Sequence, residues 1–124
     1  MLFHITDTSQ EPFHSQISRQ IREKLLTGEL SDGECLPTVQ QLSRQLKIDT
    51  NTINRAYQEL IDQGILKLDD SKNYVIDLPD KKKLELTEEY ISRRFQQVIV
   101  EMKSLGISRQ QLLDIIEKLI KSEE

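Results

Sequence analysis

The segment that most constrains the fold of this chain runs from residue 36 to residue 66 and reads LPTVQQLSRQLKIDTNTINRAYQELIDQGIL. Apolar residues recur in it at helical spacing in two short blocks, and a polar turn over residues 47–49 separates the blocks. Thr38 and Gln41 form a Thr-x-x-Gln capping box at the start of the first block, and Gly64 ends the second. The pattern predicts two short helices joined by a tight turn, which is a helix-turn-helix.

The second of these helices, with Asp49 or Thr50 as its N-cap, has two different faces. Its inner face is apolar and consists of Ile53, Ala56, Tyr57, Leu60 and Ile61. Its outer face carries amides, hydroxyls and a guanidinium, from Asn51, Thr52, Asn54, Arg55 and Gln58. Such groups suit the polar base edges of the DNA major groove, so the sequence predicts a recognition helix.

Further elements are predicted on both sides of this segment. Apolar residues on one stripe between Pro12 and Leu26 predict a helix that ends near Gly28. After Gly64, strand-forming runs at 65–68 and 74–76 flank a polar turn, which predicts a β-hairpin. The chain is therefore expected to be mainly α with a small β-hairpin, as a winged helix-turn-helix DNA-binding domain over residues 1–78.

Residues 79–124 are expected to form a two-helix dimerisation region. Residues 78–86, with a run of three lysines, are predicted to be a linker, and Thr87 to cap a long helix. Apolar residues then repeat at 4-3-4-3 spacing, which is a heptad seam, until Gly106; a Ser108-x-x-Gln111 box opens the last helix. One partner helix cannot cover so much apolar surface, so a homodimer is expected through Ile91, Phe95, Val98, Met102, Leu105, Leu112, Ile116 and Leu119.

The distribution of charge restricts how such a chain could bind DNA. The formal net charge is −4. Residues 1–78 carry eight basic and twelve acidic side chains, whereas residues 79–124 carry nine of each. Bulk attraction to phosphate therefore cannot drive binding. A DNA-binding head would need a local basic face with its acidic side chains turned away.

Catalysis, a metal site and a cofactor are not expected. His4 and His14 stand far in sequence from any plausible partner set, and the chain has no Gly-rich phosphate loop and no clustered metal ligands. Cys35 is the single cysteine, so an internal disulfide is excluded, and it is expected to be a small buried apolar residue. No apolar run approaches the ~20 residues of a membrane span, and the N-terminus does not resemble a signal peptide. A cytoplasmic protein is expected.

Many positions between about residue 10 and residue 77 follow one known order. They include Pro12-Phe13-His14-x-Gln16-Ile17, Gly33-Glu34-x-Leu36-Pro37-Thr38 and Asn51-Thr52-Ile53-x-Arg55-Ala56-Tyr57. In these positions the chain resembles the N-terminal DNA-binding domain of the GntR family of bacterial transcription regulators. Its short tail is similar to that of the YtrA-type subfamily, whose C-terminal helices serve dimerisation. The resemblance implies a repressor that binds an operator in double-stranded DNA.

The chain departs from the family pattern mainly at basic contact positions. Gln40 stands where the family usually has arginine, and Asp49 and Thr50 stand where a Ser-Arg pair often opens the recognition helix. The wing, commonly Gly-x-Gly-x-Phe/Tyr-Val, has no glycine here and reads Ser71-Lys72-Asn73-Tyr74-Val75, with two aspartates just before it. His14 replaces the usual aromatic residue. These differences concern the affinity and the operator sequence more than the scaffold.

The expected DNA-binding surface combines three elements. Base contacts and backbone contacts are assigned to Thr38, Gln40, Gln41, Arg44, Thr50, Asn51, Thr52, Asn54, Arg55, Gln58, Lys72 and Asn73. Two copies joined by their tails would read an inverted repeat with half-sites about one helical turn apart, or a small multiple of it.

Two questions remain open at the level of the sequence. A small-molecule effector could bind in the dimer cleft and act through the linker or the dimer helices, but no residue cluster identifies one. The alternative function is a winged helix that binds a protein partner without specific DNA binding. The negative charge of the head and the missing family arginines favour that alternative.

Overall fold

The computed structural model describes residues 3–124. Along the described chain the elements are α1 (Phe13–Thr27), α2 (Val39–Leu46), α3 (Thr50–Asp62), β1 (Leu66–Leu68), β2 (Tyr74–Ile76), α4 (Asp80–Ser104) and α5 (Arg109–Glu123). They belong to two compact units, one ending at Leu86 and the other beginning at Thr87. The order of elements in the first unit is the predicted one.

The core of the first unit lies where α1, α2 and α3 meet. Ile17, Ile21 and Leu25 from α1 pack with Leu42 from α2 and with the apolar face of α3, and all of them are buried except Ile61 of α3, which is partly buried. Burial of such side chains is the main source of stability in a domain of this size. The packing holds α3 by its inner face and leaves its outer face to solvent.

Tyr57 connects the recognition helix to two other parts of the unit. Its side chain is fully buried, and its hydroxyl donates a hydrogen bond to the carbonyl oxygen of Pro37 at 2.8 Å. Its ring meets the ring of Tyr74 edge to face, with centroids 4.7 Å apart. Burial, with a smaller contribution from Tyr74, raises the pKa of Tyr57, so the phenol stays neutral and keeps its proton for this bond.

The hairpin gains a third extended segment. β1 and β2 pair antiparallel, with Leu66 opposite Ile76 and Leu68 opposite Tyr74. On the other side of β2, the amide of residue 33 donates to the carbonyl oxygen of Ile76 at 2.9 Å, and the amide of Leu36 donates to that of Tyr74 at 2.8 Å. The wing is thereby tied to the segment that leads into α2.

Cys35 lies in this third segment, where it pairs with Val75 in an isolated bridge. Its side chain is exposed, so the prediction of a small buried residue was wrong. Successive side chains of an extended segment point to opposite faces, and the neighbouring Leu36 occupies the inward position.

Two glutamines of α1 hold the N-terminal segment. The Gln16 amide accepts a hydrogen bond from the backbone amide of Thr6 at 3.0 Å and donates to the carbonyl oxygens of Thr6 and Glu11. One turn further on, the Gln20 amide bonds both the N–H and the C=O of His4, each at 2.8 Å. Each side chain therefore satisfies backbone groups that have no strand partner.

The predicted helix starts agree with the structure, except at α4. Thr38 and Gln41 form a reciprocal capping box on α2, and Ser108 and Gln111 form another on α5. Asp49 is the N-cap of α3 and accepts a hydrogen bond from the amide of Thr52 at 3.0 Å.

The linker expected at 78–86, and the cap expected at Thr87, were wrong, because α4 already begins at Asp80. Residues 80–86 contain neither glycine nor proline, and Asp80 lies in the first turn, where the helix dipole favours an acidic side chain. One of the three lysines, Lys82, donates through Nζ to the carbonyl oxygen of Gly64. Leu78 is buried, and its amide bonds Asp32 Oδ1 at 2.7 Å.

The second unit contains the rest of α4 and α5. Gly106 separates the two helices with φ +74°; its amide bonds Lys103, and the amide of Ile107 bonds Met102, which is the pattern of a Schellman cap. The interruption predicted at Gly106 is therefore confirmed. None of residues 87–124 is buried, and several large apolar side chains of both helices are more than a third exposed.

Candidate nucleic-acid interface

The outer face of α3 is the centre of the candidate interface. Asn51, Asn54, Arg55 and Gln58 are exposed, while Thr52 is half-buried. The opposite face is buried in the core, so the two faces predicted from the sequence are confirmed. Because the inner face of α3 packs in the core, the orientation of its polar outer face is fixed.

The side chains on this face differ in whether they are free to bind. Among residues 3–124, Asn51, Asn54 and Arg55 have no side-chain hydrogen bond or ion pair. Gln58 is different, because its Nε2 donates to Asp62 Oδ1 at 2.9 Å. Two amides and a guanidinium near the start of α3 therefore keep their full hydrogen-bonding capacity for a ligand.

The four predicted residues at α2 also fall into two groups. Thr38 and Gln41 bond each other's backbone amides, at 3.1 and 2.9 Å, and so fix the start of the helix. Gln40 and Arg44 are exposed, and within the described chain their side chains bond no other residue. Thr38 and Gln41 therefore stabilise the start of α2, while the side chains of Gln40 and Arg44 are available for contacts with a ligand.

The tip of the wing is organised by Asp69. Its Oδ1 accepts hydrogen bonds from the backbone amides of Ser71 at 2.9 Å and Asn73 at 2.8 Å. Lys72 between them is exposed and has φ +64°, a left-handed conformation that favours glycine. An aspartate-centred turn therefore replaces the glycines of the usual wing and presents a lysine at the tip.

The role of Asp69 was missed from the sequence, where it counted only as an unfavourable charge. An aspartate followed two residues later by serine is the spacing of an Asx turn, and this local signal could have identified it. Asn73 adds a weak contact, with its Nδ2 3.4 Å from Asp69 Oδ2, so one of the two predicted contact residues on the wing also supports the turn.

Ion pairing divides the cations of the first unit into two sets. Arg19 pairs with Glu11 and Glu23, and Lys24 pairs with Glu29. By contrast, the cations of α2, the α2–α3 turn, α3 and the wing tip pair with no carboxylate of residues 3–124; they are Arg44, Lys47, Arg55 and Lys72. A head with net negative charge therefore still has uncompensated positive charge on its predicted DNA-binding elements.

Glu59 anchors α3 to α1. One of its carboxylate oxygens bonds His14 Nδ1, and the other accepts a hydrogen bond from the Ser18 hydroxyl at 2.7 Å. From the sequence, His14 was noted as a departure from the family pattern and as a histidine far from any plausible partner set. The contact joins residues 45 positions apart, and no local pattern predicts it.

The described residues contain no group of three or more His, Cys, Asp and Glu side chains that could hold a metal ion. No helix within residues 3–124 is long and apolar enough to cross a membrane.

Comparison with known proteins identifies the family and the fold. The family model described as "Bacterial regulatory proteins, gntR family" matches residues 13–73. The uncharacterized HTH-type transcriptional regulator YhcF of Bacillus subtilis (strain 168) is 31% identical over 110 residues, which cover 86% of this chain and 88% of YhcF. The HTH-type transcriptional repressor YtrA of the same organism is 26% identical over 119 residues, which cover 95% of this chain and 92% of YtrA.

Solved structures share the fold. A GntR family transcriptional regulator from Listeria monocytogenes superposes with a TM-score of 0.79 at 24% identity, covering 92% of this chain and 98% of its own. The mainly helical winged fold predicted from the sequence is thereby confirmed. The relatives are transcription regulators and not enzymes. With relatives that match along nearly its whole length, this chain belongs to the GntR family of bacterial transcription regulators, whose DNA-binding domain is a winged helix-turn-helix, and it is of the YtrA type.

Proposed function

We propose that this chain is a repressor that binds an inverted-repeat operator as a homodimer, in the cytoplasm. The observation that carries the proposal is the outer face of α3, where Asn51, Asn54 and Arg55 are exposed and have no partner in the described chain. The repressor role is supported by the likeness to YtrA, which is itself a transcriptional repressor.

In the proposed complex each element has a separate task. The N-terminal end of α3 enters the major groove, where Thr50, Asn51, Asn54 and Arg55 face base edges and Thr52 lies at the margin. Gln58, whose Nε2 is bonded to Asp62 Oδ1, contacts no base in this arrangement. Thr38, Gln40, Gln41 and Arg44 at α2 contact the phosphate backbone and set the register. Lys72 and Asn73 extend the contact to flanking DNA.

The dimer is proposed from the second unit. Its apolar side chains cannot all be covered by a single helical hairpin, and Phe95, Leu105 and Leu119 are 42%, 71% and 61% exposed. Met102, Leu112 and Ile116 are partly covered, and Ile91 and Val98 complete the surface. We take a second copy of the chain as the occupant, because the heptad spacing in α4 is that of helices that pair with helices. A twofold dimer requires a twofold operator, hence the inverted repeat.

Regulation would act through this dimer. Because α4 begins at Asp80, residues 80–86 are helical and not the linker that could have served as a hinge. A small-molecule effector would therefore need to change how the tail helices of the two copies pair. Any such change alters the spacing of the two recognition helices and their fit to both half-sites.

A mobility-shift titration tests the proposal against its alternative, a winged helix that binds a protein partner. The full chain is mixed with the DNA upstream of its own gene, and with random DNA of the same length, at low and moderate salt. A complex that prefers the upstream DNA and weakens with salt is expected of the repressor. Absence of any complex at low salt would contradict DNA binding and favour the protein partner, a candidate supported by the net charge of −4.

A further inference from the structure

We infer that α3 reads mainly A·T base pairs, with at most one G·C pair contacted by Arg55 in each half-site. This inference rests on the proposed function and names the class of operator. It starts from the groups on the first turns of α3 that are both exposed and unbonded in the described chain: Thr50, Asn51, Asn54 and Arg55.

The two asparagines favour adenine. A carboxamide can donate to N7 and accept from the N6 amino group of the same adenine, and this bidentate pair is the usual asparagine contact in the major groove. Asn51 and Asn54 are three residues apart, so they lie on one side of α3 in successive turns. Neither amide must break an internal hydrogen bond before it pairs with a base.

Guanine readers are scarce on the same surface. Guanine is recognised mainly by arginine or lysine, and Arg55 is the only basic residue between Thr50 and Asp62. Gln40 and Thr50 occupy positions that could have carried two further arginines. Thr50 is exposed and offers a methyl group, which suits the C5-methyl of thymine. The set of available side chains therefore selects against G·C-rich half-sites.

Gln58 provides a matched control on the same helix. It carries the same kind of amide and is exposed, but its Nε2 is occupied by Asp62 Oδ1. If every exposed amide on α3 could read adenine, replacing Gln58 would reduce the preference for A·T as much as replacing an asparagine. If only unbonded amides read adenine, replacing Gln58 leaves the base preference unchanged.

Selection from a random duplex library with the full chain tests the inference, and is repeated with Asn51→Ala, Asn54→Ala and Gln58→Ala. We expect the wild-type chain to select half-sites with A·T at two or more of the base pairs that α3 contacts, which we call the inner positions. Changing one of these pairs to G·C should weaken binding roughly tenfold. Each asparagine variant should lose the preference at one position, whereas Gln58→Ala should keep all of them. Circular dichroism melting checks that the variants fold.

The outcomes separate the inference from the function beneath it. Failure of the wild-type chain to enrich any duplex would contradict DNA recognition itself. Enrichment of half-sites with G·C at the inner positions would leave the repressor intact and overturn the inference. Retention of the A·T preference in both asparagine variants, with melting unchanged, would also overturn it.

Discussion

At the residue scale, a few polar side chains hold segments of the first unit in place beside the apolar core. Gln16 is 1% exposed, yet its amide makes three hydrogen bonds to the backbone of the N-terminal segment. Asp69 makes a wing without glycine, and Glu59 attaches α3 to α1. Each of these polar side chains adds hydrogen bonds that supplement the packing of the apolar core.

Replacing Gln16 with alanine should destabilise the first unit by about 1–3 kcal/mol, because three partly buried hydrogen bonds to the backbone of Thr6 and Glu11 are lost. Gln10→Ala, at an exposed position nearby, is the matched control and should change stability by less than about 0.5 kcal/mol. Urea unfolding at one fixed chain concentration measures both. Equal stabilities of the two variants would show that the hydrogen bonds of Gln16 do not stabilise the N-terminal segment.

Lys72 is expected to have opposing effects on stability and on DNA binding. Lys72→Gly removes the cost of a left-handed lysine and should stabilise the fold by about 0.5–1 kcal/mol. It also removes a cation from the wing tip, so the slope of log affinity against log salt should fall by about 0.9 for each phosphate that the wing no longer neutralises. Thermal unfolding and anisotropy titrations at several salt concentrations measure the two effects. An unchanged salt slope would remove Lys72 from the interface.

Asp49 makes the stability of the recognition helix sensitive to acid. Hydrogen bonds from the Thr52 side chain and amide lower the pKa of Asp49 below its ordinary value of 3.8. A lowered pKa in the folded chain means that the contribution is complete above 3.8 and is lost as the pH falls through the folded-state value. Wild type should therefore lose its stability advantage over Asp49→Ser, a cap that does not titrate, as the pH drops below 3.8. An advantage independent of pH in chemical unfolding would contradict this.

At the scale of elements, the sequence predicted what local signals encode. The capping boxes of α2 and α5, the bounds of α3 and the stop at Gly106 follow from side chains a few positions apart, and the structure agrees. The start of α4 was missed because Pro79 and three lysines resemble a linker, although nothing in residues 80–86 opposes a helix. The partner of Glu59 and the contact between Lys82 and Gly64 depend on tertiary packing, which local patterns do not contain.

The candidate site follows the same division. Exposure of the polar face of α3 was predictable from helical periodicity. Which of its side chains are free was not, because the bond from Gln58 to Asp62 and the capping bonds of Thr38 and Gln41 depend on rotamers. The structure therefore shows which of the predicted contact residues already have a partner within the chain, and their contacts with DNA stay a prediction.

Arg55 tests the recognition helix as an element. Arg55→Ala should weaken operator binding by about 1–3 kcal/mol if the guanidinium is bidentate to guanine, because the base then loses both hydrogen bonds. Gln58→Ala, one turn further along the same face, should have a much smaller effect, since its amide is already bonded. Fluorescence anisotropy at two salt concentrations measures both variants. Unchanged binding of Arg55→Ala at both would remove Arg55 from the site.

At the scale of the whole molecule, DNA binding by α3 is expected to depend on pairing of the tail helices. In the proposed complex, a half-site contacted by so few basic side chains would give modest affinity, and pairing of two heads would increase that affinity through effective concentration. Phe95→Asp should disrupt the proposed pairing, because a carboxylate at this position of the heptad seam would have to be desolvated. Gln97→Asp, at an exposed position outside the seam, is the matched control and should leave pairing intact.

Sedimentation velocity of a labelled inverted-repeat duplex with the full chain tests the central claim most directly. We expect two chains on each duplex, cooperative loading of wild type and Gln97→Asp, and loss of the complex for Phe95→Asp at the same concentration. A single chain bound to each duplex, with equal affinity for one isolated half-site and no effect of Phe95→Asp, would contradict recognition by a twofold pair of α3 helices.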